Sequence, residues 1–242
     1  MRWEMARCMF ERPQHNRIAQ VLHALNGQLL LERRCLFAGG TVIAMRHGEY
    51  RESVDIDFLV SDADCYRDLR ELLTRPEGIK AIVREGSMPL AQARDIRADQ
   101  YGIRTMLLGD NQPIKFEIVR ESRIEIAPPS AGDALCGIAT LTTLDMATSK
   151  LLANSDRWND DGVFSRDVID LAMMEPSLHL LRQAIAKAEQ AYGESILRDL
   201  AKAIDTLQKR HGWLERCMQV MAMRLPKAQL WQRIRVLRRV LP

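Results

Sequence analysis

Between residues 54 and 60 the chain reads Val54-Asp55-Ile56-Asp57-Phe58-Leu59-Val60, and this alternation constrains the fold more than any other stretch. Successive side chains of a strand point to opposite faces, so a strand here sends Val54, Ile56 and Phe58 into a core and both carboxylates onto the other face. Thirteen residues separate Asp55 from Thr41, which follows Gly39-Gly40 at the end of the apolar run Cys35-Leu36-Phe37-Ala38. That segment reads as strand, glycine turn and short helix, with Thr41 capping Val42 to Arg46.

Around this centre the pattern predicts an α+β fold. Ile18, Val21, Leu22, Leu25, Leu29 and Leu30 recur by threes and fours, which predicts one amphipathic helix over 15–31. Asp62 or Asp64 starts a helix carrying Tyr66, Leu69, Leu72 and Leu73, closed by Pro76 and Gly78. Ile79 to Val83 reads as a strand. Residues 103–108 and 114–119 flank Gly109-Asp110-Asn111-Gln112-Pro113 and predict a hairpin, with Glu117 between Phe116 and Ile118. After Pro128-Pro129 no strand signal remains, and helices are expected near 142–154, 165–174, 177–191, 194–210, 213–224 and 226–240. The expected organisation is a mixed sheet with flanking helices over 1–130 and a helical domain, contributing to the active-site cleft, over 131–242. Trp213, Trp231 and several methionines of that half read as core, with an interface as the alternative.

Apolar runs such as Leu29-Leu30-Leu31 fall far short of the ~20 residues a membrane-spanning helix needs, so no membrane partner is expected. Met1-Arg2-Trp3-Glu4 has an acid in its basic stretch and no apolar region behind it, unlike a secretory signal. Cys8, Cys35, Cys65, Cys136 and Cys217 form no C-x-x-C pair, which suits neither a disulfide framework nor a zinc site and is harmless in a reducing compartment. The expected location is the cytoplasm. Residues 201–242 contain ten Lys/Arg against two Asp/Glu, although the whole chain has a net charge of only +3. That segment reads either as a solvated helical face or as a surface for a phosphate-rich partner. His15, His23, His47, His179 and His211 form no H-E-x-x-H pair, and the sequence contains no G-x-S-x-G elbow, P-loop or dinucleotide fingerprint. Hydrolase, ATPase and dehydrogenase chemistry therefore lack support.

Nucleotidyl transfer needs a cradle for a triphosphate and anionic oxygen ligands for magnesium, or manganese in its place. Gly39, Gly40 and Thr41 suit the first requirement, because glycine lets backbone approach phosphate and the amides of the next helix point at the anion. Asp55 and Asp57 suit the second, since same-face carboxylates can chelate a hard cation. Glu117, from a neighbouring strand, is the candidate third carboxylate, as metal ligand or general base. Arg46 and His47 lie close enough in sequence to the turn to touch phosphate.

Gly39-Gly40-Thr41 followed by Arg51-x-Ser53-x-Asp55-x-Asp57-Phe58 resembles the signature of the DNA polymerase beta-like nucleotidyltransferases, specifically the AbiEii-type family of toxins in toxin–antitoxin and phage-defence systems. Later in the chain, Asp145-x-x-x-x-Lys150, Arg157 and Arg166-Asp167-Val168-Ile169-Asp170 are similar to that family's lysine helix and Arg-Asp-x-x-Asp helix. The resemblance covers roughly residues 15–175, with Thr41 in place of the commoner serine and Glu117 where aspartate is common. It implies that Asp55 and Asp57 bind the metal and that Gly40 and Thr41 bind the triphosphate, and Gly39, Arg46, Arg51 and Ser53 are the further candidates for nucleotide contact. It also implies that Lys150 serves a phosphate or the acids Asp167 and Asp170, an arrangement equally typical of a structural salt bridge.

The implied activity transfers a nucleoside monophosphate from an NTP to an acceptor. RNA such as the 3′ end of tRNA suits Arg233, Arg235, Arg238 and Arg239; protein hydroxyls and a small molecule such as an aminoglycoside are the other acceptors. A toxin of this kind implies a cognate antitoxin. The alternative is a catalytically inactive nucleotide-sensing, RNA-binding or protein-binding module on the same fold.

Overall fold

A computed structural model describes residues 9–241, so the amino-terminal segment and Cys8 lie outside the described residues. The chain divides into two compact units. The first comprises Met1–Val42 and Ser53–Thr142, and the second comprises Ile43–Glu52 and Thr143–Pro242. The second unit thus takes in the chain from Thr143 onward together with the ten-residue segment Ile43–Glu52.

The first unit begins with helices α1 (Pro13–Ala24) and α2 (Gly27–Glu32). The continuous helix expected over 15–31 is broken at Leu25, which takes extended backbone and pairs with Val83. Asn26 then caps α2 through its side chain, accepting from the Leu29 N–H at 3.0 Å. Strand β1 (Leu36–Ala38) runs straight into α3 (Gly39–Arg46), and β2 (Asp55–Val60) follows. Helix α4 (Ala63–Thr74) starts where expected, with the Asp62 carboxylate accepting from the amides of Asp64 and Cys65.

The expected strand at 79–83 is instead a 3₁₀ turn, Gly78–Ile82, because Ile79 and Ile82, three apart, are the residues it buries. Strands β3 (Ala91–Ala98), β4 (Gly102–Gly109) and β5 (Gln112–Arg120) complete the sheet. The β4–β5 hairpin turns at Asp110 and Asn111, both at positive φ. Strands β6 (Ala134–Leu135) and β7 (Ile138–Ala139) form a small hairpin in a region expected to hold none.

The sheet order is β1-β2-β5-β4-β3, with β2 and β5 parallel and the other pairs antiparallel. This is the mixed sheet that the sequence predicts. Its covered face holds Phe37, Phe58 and Phe116, whose rings lie 5.7 and 5.6 Å apart in a tilted row. Ile56, Phe58 and Val60 are fully buried, while Asp55, Asp57 and Leu59 are half-buried on the opposite face. Val54, expected in the core, precedes the strand and is 51% exposed.

The second unit contains α5 (Thr143–Arg157), α6 (Arg166–Met173), α7 (Leu178–Tyr192), α8 (Ser195–Lys209), α9 (Trp213–Val220) and α10 (Lys227–Leu237). All six expected helices form. Their facing apolar stripes, including Leu151, Ile169, Leu181, Leu200, Ile204 and Ile234, make the core. Trp213 is core, with its indole N–H donating to Ser165 Oγ at 3.0 Å, and Trp231 is half-buried. Cys35, Cys136 and Cys217 are buried free thiols and Cys65 is partly exposed. No helix among the described residues is long and apolar enough to cross a membrane.

Candidate active site

The glycine turn and the aspartate strand meet in the first unit because β1 and β2 are antiparallel neighbours, with Ala38 opposite Asp57. Gly39 therefore lies against Asp57. A Cβ built on Gly39 would stand 2.7 Å from Asp57 Oδ2 and 3.1 Å from Asp57 Cβ, and Gly39 has φ +76°. Both the space and the backbone conformation require glycine here. Gly39, Gly40 and Thr41 lie in the first turn of α3, so the helix starts three residues earlier than a Thr41 cap would allow.

Thr41 is buried, and its hydroxyl is committed to the protein. Its Oγ1 lies 2.6 Å from the carbonyl oxygen of Asp55 and 2.7 Å from Ser53 Oγ. One hydroxyl proton serves one acceptor, so Thr41 donates to the Asp55 carbonyl and accepts from Ser53. The Ser53 amide in turn donates to His15 Nε2 at 3.2 Å. His15 is fully buried, and this bond fixes Nε2 as the unprotonated nitrogen. A chain of contacts from α1 through Ser53 and Thr41 thereby sets the height of the Asp55 backbone. Sequence reasoning left His15 as an isolated histidine, since nothing in a lone histidine on an amphipathic helix signals such a brace.

Across the sheet, β2 is in register with β5, pairing Asp55 with Lys115 and Asp57 with Glu117. Strand β4 then places Arg104 opposite Glu117. Glu117 does share the face of the two aspartates, and both its oxygens are engaged. Lys115 Nζ lies 2.6 Å from Oε2, and Arg104 Nε donates to Oε1 at 2.5 Å. Burial raises the carboxyl of Glu117, and the bonds from Lys115 and Arg104 outweigh it and hold it below the usual range. Lys115 was absent from the expected set. Its signal is nevertheless the one that found the aspartates, because Lys115 and Glu117 alternate with Ile114, Phe116 and Ile118.

Two same-face carboxylates beside a side-chain-free glycine suit a hard divalent cation. Among the described residues, however, no three His, Cys, Asp or Glu side chains converge on a metal site. Any ion at Asp55 and Asp57 therefore needs the remaining oxygens from a nucleotide or water, as is usual for magnesium.

The other expected residues, Arg46, Arg51 and Lys150, belong to the second unit. Arg51 grips Asp170 with Nε and Nη2 at 2.7 and 3.0 Å. Lys150 Nζ reaches Asp170 at 2.7 Å and Asp167 at 2.9 Å. Arg157 Nε lies 2.7 Å from Asp167, and the Tyr50 hydroxyl donates to Asp170 at 2.5 Å. Lys150, Arg51, Asp167 and Asp170 are all buried, so two cations and two carboxylates are desolvated together, with Arg157 partly exposed at the edge of the network. Burial raises both carboxyls, but Lys150 and Arg157 hold Asp167 well below its usual range, and Arg51 and Lys150 do the same for Asp170. Arg46 ends α3. Beside it, burial and then Arg46 push the His47 imidazole below its ordinary value, against a weaker pull from Glu175.

The sequence profile described as the nucleotidyl transferase AbiEii toxin of type IV toxin–antitoxin systems matches residues 20–233. A comparison with curated proteins finds no match. Among solved structures, JHP933 from Helicobacter pylori aligns with a TM-score of 0.54 at 16% identity, over 96% of this chain and 93% of that one. A further H. pylori structure, assigned to the nucleotidyltransferases, aligns with a TM-score of 0.52 at 16% identity, over 94% and 92%. At this identity the two structures speak for the fold.

Proposed function

Since this chain belongs to the AbiEii nucleotidyl transferase toxin family, we propose that it moves a nucleoside monophosphate from an NTP onto an acceptor hydroxyl, with magnesium held at Asp55 and Asp57. The observation that carries this reading is the placement of those two carboxylates on one face of β2, against the glycine turn that opens α3. The acceptor oxygen forms a bond to the α-phosphorus while the bond to the β-phosphate breaks, releasing pyrophosphate. Magnesium bound with the triphosphate supplies neutralisation of the charge that builds on the phosphoryl oxygens.

The chain's own contribution is positional. The missing side chain at Gly39 keeps Asp57 where it is, and the Thr41–Ser53–His15 brace fixes the backbone of Asp55. The amides at the start of α3 are the donors available to a phosphate, and they have the helix dipole behind them. The network of Lys150, Asp167, Asp170 and Arg51 is a buried salt-bridged framework within the second unit, and the partly exposed Arg157 at its edge is its candidate for phosphate contact. RNA ending in a free 3′ hydroxyl, such as tRNA, is the proposed acceptor, on the strength of the basic carboxyl-terminal helices. As a family toxin the protein is paired with an antitoxin, and the reaction is assigned to the cytoplasm, where its substrates are.

The test is incubation with each labelled NTP, magnesium and total tRNA or lysate, comparing wild type with Asp55→Ala/Asp57→Ala. Label on RNA or protein with wild type alone supports transfer and identifies the acceptor. Magnesium-dependent NTP binding without label on any acceptor would replace it with the nucleotide-sensing reading.

A further inference from the structure

The position opposite Asp57 on β5 is where a third metal carboxylate would be sought, and Glu117 stands there with each oxygen already paired to a cation. One oxygen accepts from Arg104, which is itself braced by Asp99 at 3.2 Å, and the other accepts from Lys115. Lys115 lies opposite Asp55 in the parallel register, so its side chain emerges on the aspartates' face. Its ammonium has three donors, one of which goes to Glu117, and the side chain is 46% exposed. The sheet therefore offers, beside the two aspartates, a positioned cation with donors to spare.

We propose that Lys115 contacts a phosphate oxygen of the reactants at this site, and that Glu117 is a positioning residue for Lys115 in place of a metal ligand or general base. The inference rests on the reading that Asp55 and Asp57 hold the nucleotide's metal. The geometry favours it for two reasons. Each Glu117 oxygen already accepts a charge-assisted hydrogen bond, among the stronger ones a protein makes, so a metal there would have to compete with Lys115 and Arg104 for the same carboxylate. A lone lysine, by contrast, would lose rotamer freedom on meeting phosphate, whereas one already tied to Glu117 has lost much of it beforehand. The ligand chemistry is a phosphate oxyanion. It can belong to the NTP or to the backbone of the acceptor strand next to its reacting hydroxyl.

The test uses the full chain, with wild-type transfer and its loss in Asp55→Ala/Asp57→Ala established first, so that failure of the transfer reading is seen separately. Lys115→Met, Lys115→Arg, Glu117→Gln and the double variant Lys115→Met/Glu117→Gln are compared for KM of NTP, KM of acceptor, kcat and the magnesium concentration at half-maximal rate. Binding of a non-hydrolysable NTP analogue is measured by calorimetry alongside. Lys115→Met should raise one KM on the order of tenfold to a hundredfold, the range for a hydrogen bond to a charged group. A rise in the NTP KM with weaker analogue binding assigns the contact to the NTP; a rise in the acceptor KM with analogue binding kept assigns it to the acceptor. Lys115→Arg should recover part of the loss. Glu117→Gln should give a smaller loss of the same kind, the double variant should be no worse than Lys115→Met, and the magnesium requirement should not move. A magnesium requirement raised tenfold or more by Glu117→Gln but not by Lys115→Met would overturn the proposal in favour of a third metal carboxylate. Unchanged KM values in Lys115→Met would overturn it outright.

Discussion

Gly39 shows how one missing methyl group can carry an active site. Alanine there would place its Cβ 2.7 Å from Asp57 Oδ2 on a backbone with φ +76°, a conformation that costs an L-residue roughly 1–2 kcal/mol. Gly39→Ala should therefore lower stability by about that amount and, because relief of the clash moves the Asp57 carboxylate, lower transfer by more than tenfold. Thermal unfolding and turnover measured on the same preparation check the pairing of effects; a variant that is destabilised yet fully active would show that Asp57 can shift without consequence. Thr41→Val makes the complementary case. It keeps the shape, removes the bonds to Ser53 and the Asp55 carbonyl, and should cost about 1–3 kcal/mol because the buried Ser53 hydroxyl and the partly buried carbonyl lose their partner. The positions of the glycine and both aspartates were legible in the sequence, since each obeys a local rule of turn or alternation, whereas Thr41, expected as a helix cap, lies inside α3 with its hydroxyl turned to Ser53 and the Asp55 carbonyl. His15 was not legible, because its partner Ser53 is thirty-eight residues away and only the tertiary fold brings them together.

At the scale of elements, legibility followed how strongly each segment obeys its own period. Strand β5 and the six carboxyl-terminal helices bury one regular stripe each and were found. Strand β3 was missed because it lies at the edge of the sheet and is mostly exposed, so Ala91–Ala98 shows no apolar alternation. The helix over 15–31 was over-extended for the opposite reason, as its apolar period runs unbroken through Leu25 while Asn26 restarts the backbone. The buried network between α5, α6 and residues 50–51 depends on charge, and its response to acid follows from the direction of its shifts. Asp167 and Asp170 are held below the usual carboxyl range when folded, so the unfolded chain binds protons at a higher pH than the folded one does. Their contribution is present in full above about pH 4, the ordinary value, and is lost as the pH falls below it toward the depressed folded values. Denaturant midpoints taken at pH 7, 5 and 3 should fall steeply only over the last interval. Asp170→Ala, which leaves Arg51 without its buried carboxylate and Lys150 with Asp167 alone, should cost roughly 3–5 kcal/mol at pH 7 and show a shallower loss on acidification. An equal acid response in wild type and variant would place the sensitivity elsewhere.

For the whole molecule, the uneven charge along the chain predicts how it meets a polyanion, once the structure has corrected the count. Several of the basic residues in 201–242 are neutralised locally: Arg210 by Asp161, Arg233 by Glu175, Arg238 and Lys209 by Asp205, and Lys227 by Glu215. Two of these acids, Asp161 and Glu175, come from outside the segment, so the sequence tally overstates the positive charge on offer. Arg235 and Arg239, on and just after α10, remain exposed. If RNA is the acceptor and this surface meets it, affinity should fall as salt rises, with a slope set by the number of phosphates neutralised. Arg235→Ala/Arg239→Ala should then weaken tRNA binding and flatten the plot of log affinity against log salt by about 0.7–0.9 for each phosphate that is no longer neutralised. NTP binding should stay as it was, since neither residue belongs to the aspartate face of the sheet. Titrating labelled tRNA from low to high salt with wild type and the double variant reads both quantities. A wild-type affinity that ignores salt would remove RNA as the acceptor and favour a protein hydroxyl, while a steep slope unchanged in the variant would move the phosphate-binding surface to other basic residues and leave the RNA reading intact.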